Sequence, residues 1–338
     1  MILVTGGCGF IGSHTVVQLL ERGEEVVILD NLSNSKRTCI ERIEKITGKK
    51  PIFIQADITN SEDLDKIFSS FPIRTVMHFA GLKAVGDSIN DPDKYEFINV
   101  TGSKRLFESM HKNNVFNVVF SSSATVYGIN APIPYTEKTP RGIPGNPYAR
   151  SKCEIEKILE DYCLKYPKWS AINLRYFNPI GAHPSGLIGE DPLGPPNNLI
   201  PFITQVAVGR RSFLSIFGND YATKDGTCER DFIHVDDVAA GHIAALDELE
   251  LPGCKSFNLG TGKATSVLEI VHQFEKVTGK KIPYKIVDRR NGDIAKFWAD
   301  PVLAKVKLGW TATKTLDKML KDAWNWQSNN PLGFNDKN

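Results

Sequence analysis

Three glycines between a short apolar strand and an apolar helix limit this chain more than any other feature. Ile2-Leu3-Val4 is a β-branched and apolar run that reads as a buried strand. Gly6, Gly9 and Gly12 follow at three-residue intervals, and an apolar periodic stretch runs from Ile11 through Val16, Val17, Leu19 and Leu20. In a strand–turn–helix each glycine has its own task. Gly6 permits a tight turn, Gly9 lets a pyrophosphate approach the backbone, and Gly12 lets helix and strand pack closely. The free N–H groups and positive dipole end of the helix then face the phosphates. The pattern predicts a dinucleotide-binding turn at the start of an α/β fold.

The next segments extend that fold. Residues 24–30 (EEVVILD) read as a second strand ending in Asp30, 18 residues after Gly12. A carboxylate there accepts from the adenosine ribose hydroxyls and repels a 2′-phosphate, which favours NAD over NADP. Lys36 and Arg37 lie nearby and pull the other way. Further strands are expected at 51–56, 75–80 and 116–122, with helices at 61–68 and 95–111. Asp57, after the third strand, either accepts from an adenine amino group or caps the next helix. This alternation predicts a Rossmann-type doubly wound parallel sheet whose ligands sit at the carboxyl ends of the strands. A smaller α/β C-terminal part should hold the substrate.

Composition removes several classes. The charge of +2 balances 41 basic against 39 acidic residues, which gives no drive toward nucleic acid or anionic lipid. No apolar run approaches the roughly 18 residues of a membrane span. The first strand starts at residue 2, so no leader peptide is expected. Six scattered cysteines form no C-x-x-C and no zinc spacing, so reduced thiols, no metal and a cytoplasmic location are expected.

The chemistry is expected near residue 148. Pro147 precedes Tyr148-Ala149-Arg150-Ser151-Lys152, and an amphipathic helix continues from there. Tyr148 and Lys152, four apart, share a helix face. A free phenol is a poor base at neutral pH, but a nearby ammonium and a cationic nicotinamide both favour the phenolate. Ser123, at the end of the fifth strand, can bond the same reacting hydroxyl. Together they can take a proton from an alcohol as a hydride leaves its carbon. Tyr-x-x-x-Lys alone is common; the cofactor turn and the strand-end serines give it meaning.

At this point the chain resembles the extended short-chain dehydrogenase/reductase superfamily and, within it, the family of UDP-glucose 4-epimerases. The stretches that carry the resemblance span nearly the whole chain: TGGCGFIGSH at 5–14, HFAGLKAVGDS at 78–88, FSSSATVYG at 120–128, NPYARSK at 146–152, LRYFNPIGAHPSGLIGEDP at 174–192, PPNNLIPFITQVAVGRR at 195–211, FGNDYATKDGTCERDFIHVDDVA at 217–239 and YKIVDRRNGD at 284–293. The resemblance implies a hydride passed from sugar C4 to bound NAD, rotation of the 4-keto sugar, and return of the hydride to its other face. UDP-glucose and UDP-galactose would interconvert, in galactose metabolism. Ser123, Tyr148 and Lys152 match the catalytic trio. Gly6, Gly9, Phe10, Ile11, Gly12, Asp30, Asn31, Asp57, Ile58, Phe79, Ala80, Gly81, Lys83 and Asn99 match cofactor positions, with Tyr148 and Lys152. Ser123, Tyr148, Phe177, Asn178, Asn198, Leu199, Phe217, Arg230, Arg290, Asp293 and Phe297 match substrate positions. A homodimer is implied as well.

Some residues depart from the family pattern. Ala149-Arg150 stands where Gly-Lys is usual, and Phe10 and Phe232 replace tyrosines. Phe297 falls where either a bulky tyrosine or a small residue occurs, and is expected to exclude N-acetylated sugars. A related 4,6-dehydratase would need a carboxylate pair beside the strand-end serine, and Ser123-Ala124-Thr125-Val126 has none. A simple dehydrogenase would release NADH, and a non-catalytic sensor would lose Tyr148 or Lys152. Of the histidines, His78 and His234 read as satisfied core residues. Domains are expected at 1–177 and 178–338, with segments near 231–262 returning to the first.

Overall fold

The structure, a computed structural model, describes residues 1–128, 131–290 and 292–334. Strands β1 (Ile2–Thr5), β2 (Val26–Asp30), β3 (Ile52–Gln55), β4 (Thr75–His78), β5 (Asn117–Ser123) and β6 (Ser170–Tyr176) alternate with helices. These are α1 (Phe10–Glu21), α2 (Thr38–Thr47), α3 (Ser61–Ser70), α4 (Val85–Asn90), α5 (Pro92–Tyr95), α6 (Gly102–Lys112) and α7 (Pro147–Lys165). The later chain adds β7 (Asn178–Ile180), β8 (Leu214–Phe217), β9 (Glu229–Arg230), β10 (Phe232–His234), β11 (Gly253–Leu259), β12 (Thr265–Ser266), β13 (Tyr284–Val287) and β14 (Lys296–Phe297). Its helices are α8 (Leu199–Ala207), α9 (Val235–Glu248), α10 (Val267–Thr278), α11 (Val302–Leu308) and α12 (Leu316–Asn329).

Seven parallel strands form the main sheet in the order β11-β6-β5-β4-β1-β2-β3. Side chains alternate across it. Ile2, Val4, Val26 and Ile28 join a core with α1, α2, α9 and α11 residues, while Leu3, Val27 and Leu29 join one with α3, α6 and α7 residues. Helices on both faces explain why β1 and β2 are apolar at every position but their last rather than alternating. Truncating a fully buried strand residue such as Ile28 to alanine would cost about 2–5 kcal/mol. β3 is the edge strand and is correspondingly half-exposed. The strand order reverses between β1 and β4, which opens a crevice at their carboxyl ends.

The later chain builds its own core from Ile200, Ile203, Leu214, Ile216, Phe274 and Leu320. It is not a separate sheet-and-helix unit, because β11 leaves it to pair with β6. One expectation is corrected. The helix expected over 95–111 is α5, a π-helical turn (Glu96–Thr101) and α6. The wider turn sets Asn99 in the interior, where its amide brackets Leu82 by accepting from Leu82 N at 2.7 Å and donating to Leu82 O at 3.0 Å. No helix among the described residues is long and apolar enough to cross a membrane.

Candidate active site

The crevice at the switch point is lined first by the glycine turn. Gly6 has φ +68°, and a Cβ there would stand 2.7 Å from Ala80 N, so the turn lies directly against the loop after β4. A Cβ on Gly12 would overlap the Gly6 carbonyl oxygen. Gly9 caps α1 without a side-chain hydrogen bond, and the first turn of α1 holds no acidic residue. The positive end of the helix thus faces the crevice uncompensated, a setting that suits a diphosphate. Phe10 and Ile11 form that first turn, and the Phe10 ring packs edge-on against His14 at 5.3 Å.

Asp30 ends β2 beside the turn. Its Oδ2 accepts from Cys8 N at 3.0 Å, and its Oδ1 accepts from Leu32 N at 2.9 Å and Ser35 Oγ at 2.8 Å. Asn31 donates to Asp57 Oδ2 at 2.7 Å, while Thr59 donates twice to Asp57 Oδ1. Burial opposes the charge on Asp57, but the bonds from Thr59 and Asn31 outweigh it and hold the carboxyl below its ordinary range. The helix-cap alternative for Asp57 is excluded: Asn60 caps α3, accepting from Glu62 N and Asp63 N. Lys36 and Arg37 are turned to other partners. Lys36 pairs with Asp191 at 3.0 Å, and Arg37 lies over the Phe53 ring.

The remaining cofactor-side candidates sit deeper or farther along. Ile58 is buried against Gly102, and Phe79 packs on His242 at 4.6 Å. Ala80 and Gly81 follow β4, with Gly81 at φ +152° facing the Asn99 amide. The Asn99 amide also donates to Ser151 Oγ at 3.0 Å, tying this loop to α7. Lys83 reaches Glu190 Oε1 at 2.7 Å.

Helix α7 presents the acid–base pair. Asn146 caps it by accepting from Ala149 N, and Pro147 occupies its first position, so Tyr148 stands in the first turn. Lys152, one turn on, is buried; its Nζ donates to Ser121 O at 2.7 Å and lies 5.8 Å from the Tyr148 ring centroid. Burial pulls Lys152 down to about 8, with Glu156 pushing the other way. Ser123 ends β5. Its oxygen accepts from Thr125 N and Thr125 Oγ1, which leaves its own O–H to donate to Tyr148. Burial raises the Tyr148 phenol above its usual value, and the Ser123 bond pulls it back. In this structure burial and the Ser123 bond set the shift of the phenol, and the Lys152 Nζ is bonded to Ser121 O.

A second wall closes the cleft. Phe297 packs on Phe177 at 4.9 Å and Tyr135 at 5.1 Å, and Tyr135 stacks flat on Tyr127. Asn178, on β7, has a buried Oδ1 without a partner among the described residues. Asn198 precedes Leu199 at the start of α8 and donates to Glu190 Oε1 at 2.7 Å. Phe217 ends β8 under the Arg290 guanidinium, 4.8 Å from its ring. Asp293 lies between two arginines: Arg290 Nε donates to it at 2.9 Å, and Arg230 Nη2 stands at 3.7 Å.

His78 and His234 are bonded at both ring nitrogens. Among the described residues no cluster of three or more His, Cys, Asp or Glu is placed to hold a metal. The partners of two residues at the site, Ser121 and Glu190, were not foreseen from the sequence. Ser121 accepts from Lys152 and bonds Tyr176 Oη, and Glu190 takes both Lys83 and Asn198. The serine triplet was a usable signal for Ser121. Glu190 had only its place in the 174–192 run.

Comparison with known proteins matches this geometry. The family profile described as "NAD dependent epimerase/dehydratase family" matches residues 2–260. The chain is similar to a UDP-glucose 4-epimerase of Erwinia amylovora, at 54% identity over 98% of this chain and 99% of the relative. A UDP-glucose 4-epimerase of Dictyostelium discoideum is 55% identical over 99% of this chain and 98% of the relative. Among solved structures, UDP-glucose 4-epimerase from Bifidobacterium longum in complex with NAD+ and UDP superposes with a TM-score of 0.96 at 47% identity, covering 98% of this chain and 99% of that one.

Proposed function

The chain belongs to the NAD dependent epimerase/dehydratase family, and on that premise we propose that it interconverts UDP-glucose and UDP-galactose by transient oxidation at sugar C4. One observation carries the reading: Tyr148 and Lys152 stand one turn apart on α7, and Ser123 meets them from the tip of β5, beside the glycine turn. When bound, NAD supplies a two-electron acceptor and donor for C4. Gly6, Gly9, Phe10, Ile11 and Gly12 hold its diphosphate, Asp30 and Asn31 a ribose, and Asp57 and Ile58 the adenine. Phe79, Ala80, Gly81, Lys83 and Asn99 shape the remainder with Tyr148 and Lys152. The carboxylate of Asp30 and the diversion of Lys36 to Asp191 support NAD over NADP.

Tyr148 Oη takes the 4-hydroxyl proton and later returns it, while Ser123 donates to the same sugar oxygen. Below a pKa of about 8 Lys152 is cationic, and its charge favours the phenolate. The 4-keto sugar turns over between removal and return of hydrogen, so C4 is inverted without net oxidation. Arg230 and Arg290 hold the substrate diphosphate, Asp293 its ribose and Phe217 its uracil; Phe177, Asn178, Asn198 and Leu199 face the sugar. The orphaned Asn178 Oδ1 supports this, since a buried acceptor calls for a donor and a sugar hydroxyl is one.

The test is incubation of the purified protein with UDP-galactose and no added NAD. UDP-glucose is expected, through cofactor that has copurified. Stoichiometric NADH release, or no product even with NAD supplied, would overturn the reading. Phe297, braced by Tyr135 and Phe177, excludes N-acetylated sugars, so UDP-N-acetylglucosamine should remain unchanged in the same assay; brisk epimerisation of it would sink that part.

Residues 1–177 then form the cofactor domain and 178–338 the sugar-nucleotide domain, with 231–262 returning to the first. The protein works in the cytoplasm as a homodimer. Six free cysteines support a reducing compartment. Two exposed apolar side chains, Ile89 at 59% on α4 and Phe97 at 49% in the π-turn, support self-association. Light scattering that returns the mass of one chain would contradict the dimer.

A further inference from the structure

Behind the acid–base pair lies a carboxylate that touches neither face of the cleft. Glu156 is on α7, four residues after Lys152 and eight after Tyr148, and its side chain is 0% exposed. Its Oε1 accepts from Ser122 Oγ at 2.6 Å and Arg175 Nε at 2.9 Å. Its Oε2 accepts from Arg175 Nη2 at 2.6 Å and Arg141 Nη1 at 3.4 Å. One carboxylate thus joins α7 to β5, to β6 and to the loop carrying Arg141. Arg175 is fixed in turn, because its Nη1 donates to Tyr127 Oη and Tyr127 Oη donates to Asn258 Oδ1.

The point of attachment on β5 matters most. Ser122 lies between Ser121, whose carbonyl receives the Lys152 ammonium, and Ser123, whose hydroxyl bonds Tyr148. We propose that Glu156, held by Arg175, is a positioning residue that locks helix α7 to strand β5 at the one residue between the strand's contacts to Lys152 and Tyr148. This rests on the proposed roles of those two residues. A shift of the helix along the strand would move both contacts together, and a misplacement of ~1 Å can cost ~10²-fold in rate.

Glu156 also acts through charge. The groups around Lys152 are Tyr148 and Glu156 on α7, His78 on β4, the Phe120 ring and Ser121 carbonyl on β5, and Tyr176 on β6 through Ser121. His78 is neutral, since burial lowers it to about 3. Glu156 is the one anion in that set. Arg175 and Arg141 are bonded to its carboxylate and lessen its field without cancelling it, since Lys152 is still pushed upward by Glu156.

The test compares Glu156→Gln, Glu156→Asp and Ser122→Ala with the parent and with Tyr148→Phe, using the full chain with its copurified cofactor. Readouts are kcat, KM, the pH profile of kcat/KM and the melting temperature. Glu156→Gln is expected to lower kcat by ~10²-fold with KM little changed. It should also move the alkaline limb to lower pH, because Lys152 loses the charge that keeps it protonated. Glu156→Asp should restore the limb but not the rate, since the shorter side chain keeps the charge and not the geometry. Ser122→Ala should cost ~10-fold in kcat and leave the limb in place. If Glu156→Gln does not fold, Ser122→Ala and Glu156→Asp still decide. Lower melting temperatures with unchanged kcat and an unmoved limb would make Glu156 a brace alone and overturn the proposal. Turnover persisting in Tyr148→Phe would instead overturn the reading beneath it.

Discussion

The two sides of the cleft are built from different materials. The cofactor side is backbone: Gly6, Gly9 and Gly12 bring main chain and a helix end to the crevice, with no side chain to reorder. The side proposed for the sugar nucleotide is side chain: Arg290 is 55% exposed, Phe217 is 37% exposed, and Asp293 is shared between two arginines. Ordering a long side chain costs up to about 2 kcal/mol of rotamer freedom, whereas a preformed turn loses almost none. The difference fits two residence times. In the proposed function, a group that stays suits a rigid cradle, and a substrate that leaves after each turnover suits arginines that can release Asp293 and take it back.

The predictions press on that contrast. Tyr148→Phe, where the two sides meet, should lower kcat by about 10³-fold while the protein still copurifies with nucleotide. Loss of nucleotide instead would show that the phenol holds the cofactor rather than the proton. Gly12→Ala should cost about 3 kcal/mol, because its Cβ meets the Gly6 carbonyl, which is backbone that cannot swing aside. Nucleotide absorbance of the purified variant should vanish; a variant with normal absorbance and melting temperature would break the backbone account. Arg290→Ala should raise KM by about ten- to a hundredfold, from one lost charge-assisted bond of about 1.5–3 kcal/mol, with the melting temperature unmoved. A large drop in melting temperature would mean this wall is as rigid as the cradle.

The smallest effect is acid lability of the cofactor side. Burial lowers His14 and His78 to about 3 and His242 to about 4, from 6.5 when unfolded. Unfolding therefore takes up protons below pH 6.5, so stability is full above that value and is lost as pH falls toward 4 and 3. From pH 7 to 6.5 the three together should cost about 0.7 kcal/mol. Denaturant titrations at the two pH values check this, and a melting curve flat down to pH 5 would remove it.

Local chemistry made much of the first side readable in advance. Glycine is favoured where φ is positive and required where a Cβ would collide with backbone, a proline fits the first position of a helix, and strands covered on both faces read as near-continuous apolar runs. Gly6, Pro147 and β1 each leave such a trace. The π-turn at 96–101 leaves none, because it differs from an α-helix only by a hydrogen bond one residue longer, and Leu82, which Asn99 brackets, lies in another segment. Partner choice was equally hidden. Nothing near Lys83 or Asn198 announces that both meet Glu190, or that Lys36 goes to Asp191. The sugar-side arginines were legible only through resemblance, since an isolated arginine in a loop ordinarily faces water.

The pairing of β11 with β6 orders events during synthesis. Every other strand of the main sheet lies within the first 176 residues, yet the outer edge of β6, Ser170–Tyr176, has no neighbour until 253–259 arrives. While the ribosome makes the intervening sugar-side segment, the nascent sheet carries an open edge of seven apolar and hydrogen-bonding positions, the kind of surface that recruits other strands. The last strand of the main sheet to leave the ribosome is thus the one that covers β6, and the edge passes from a buried strand to the half-buried β11 only once translation has gone past residue 259.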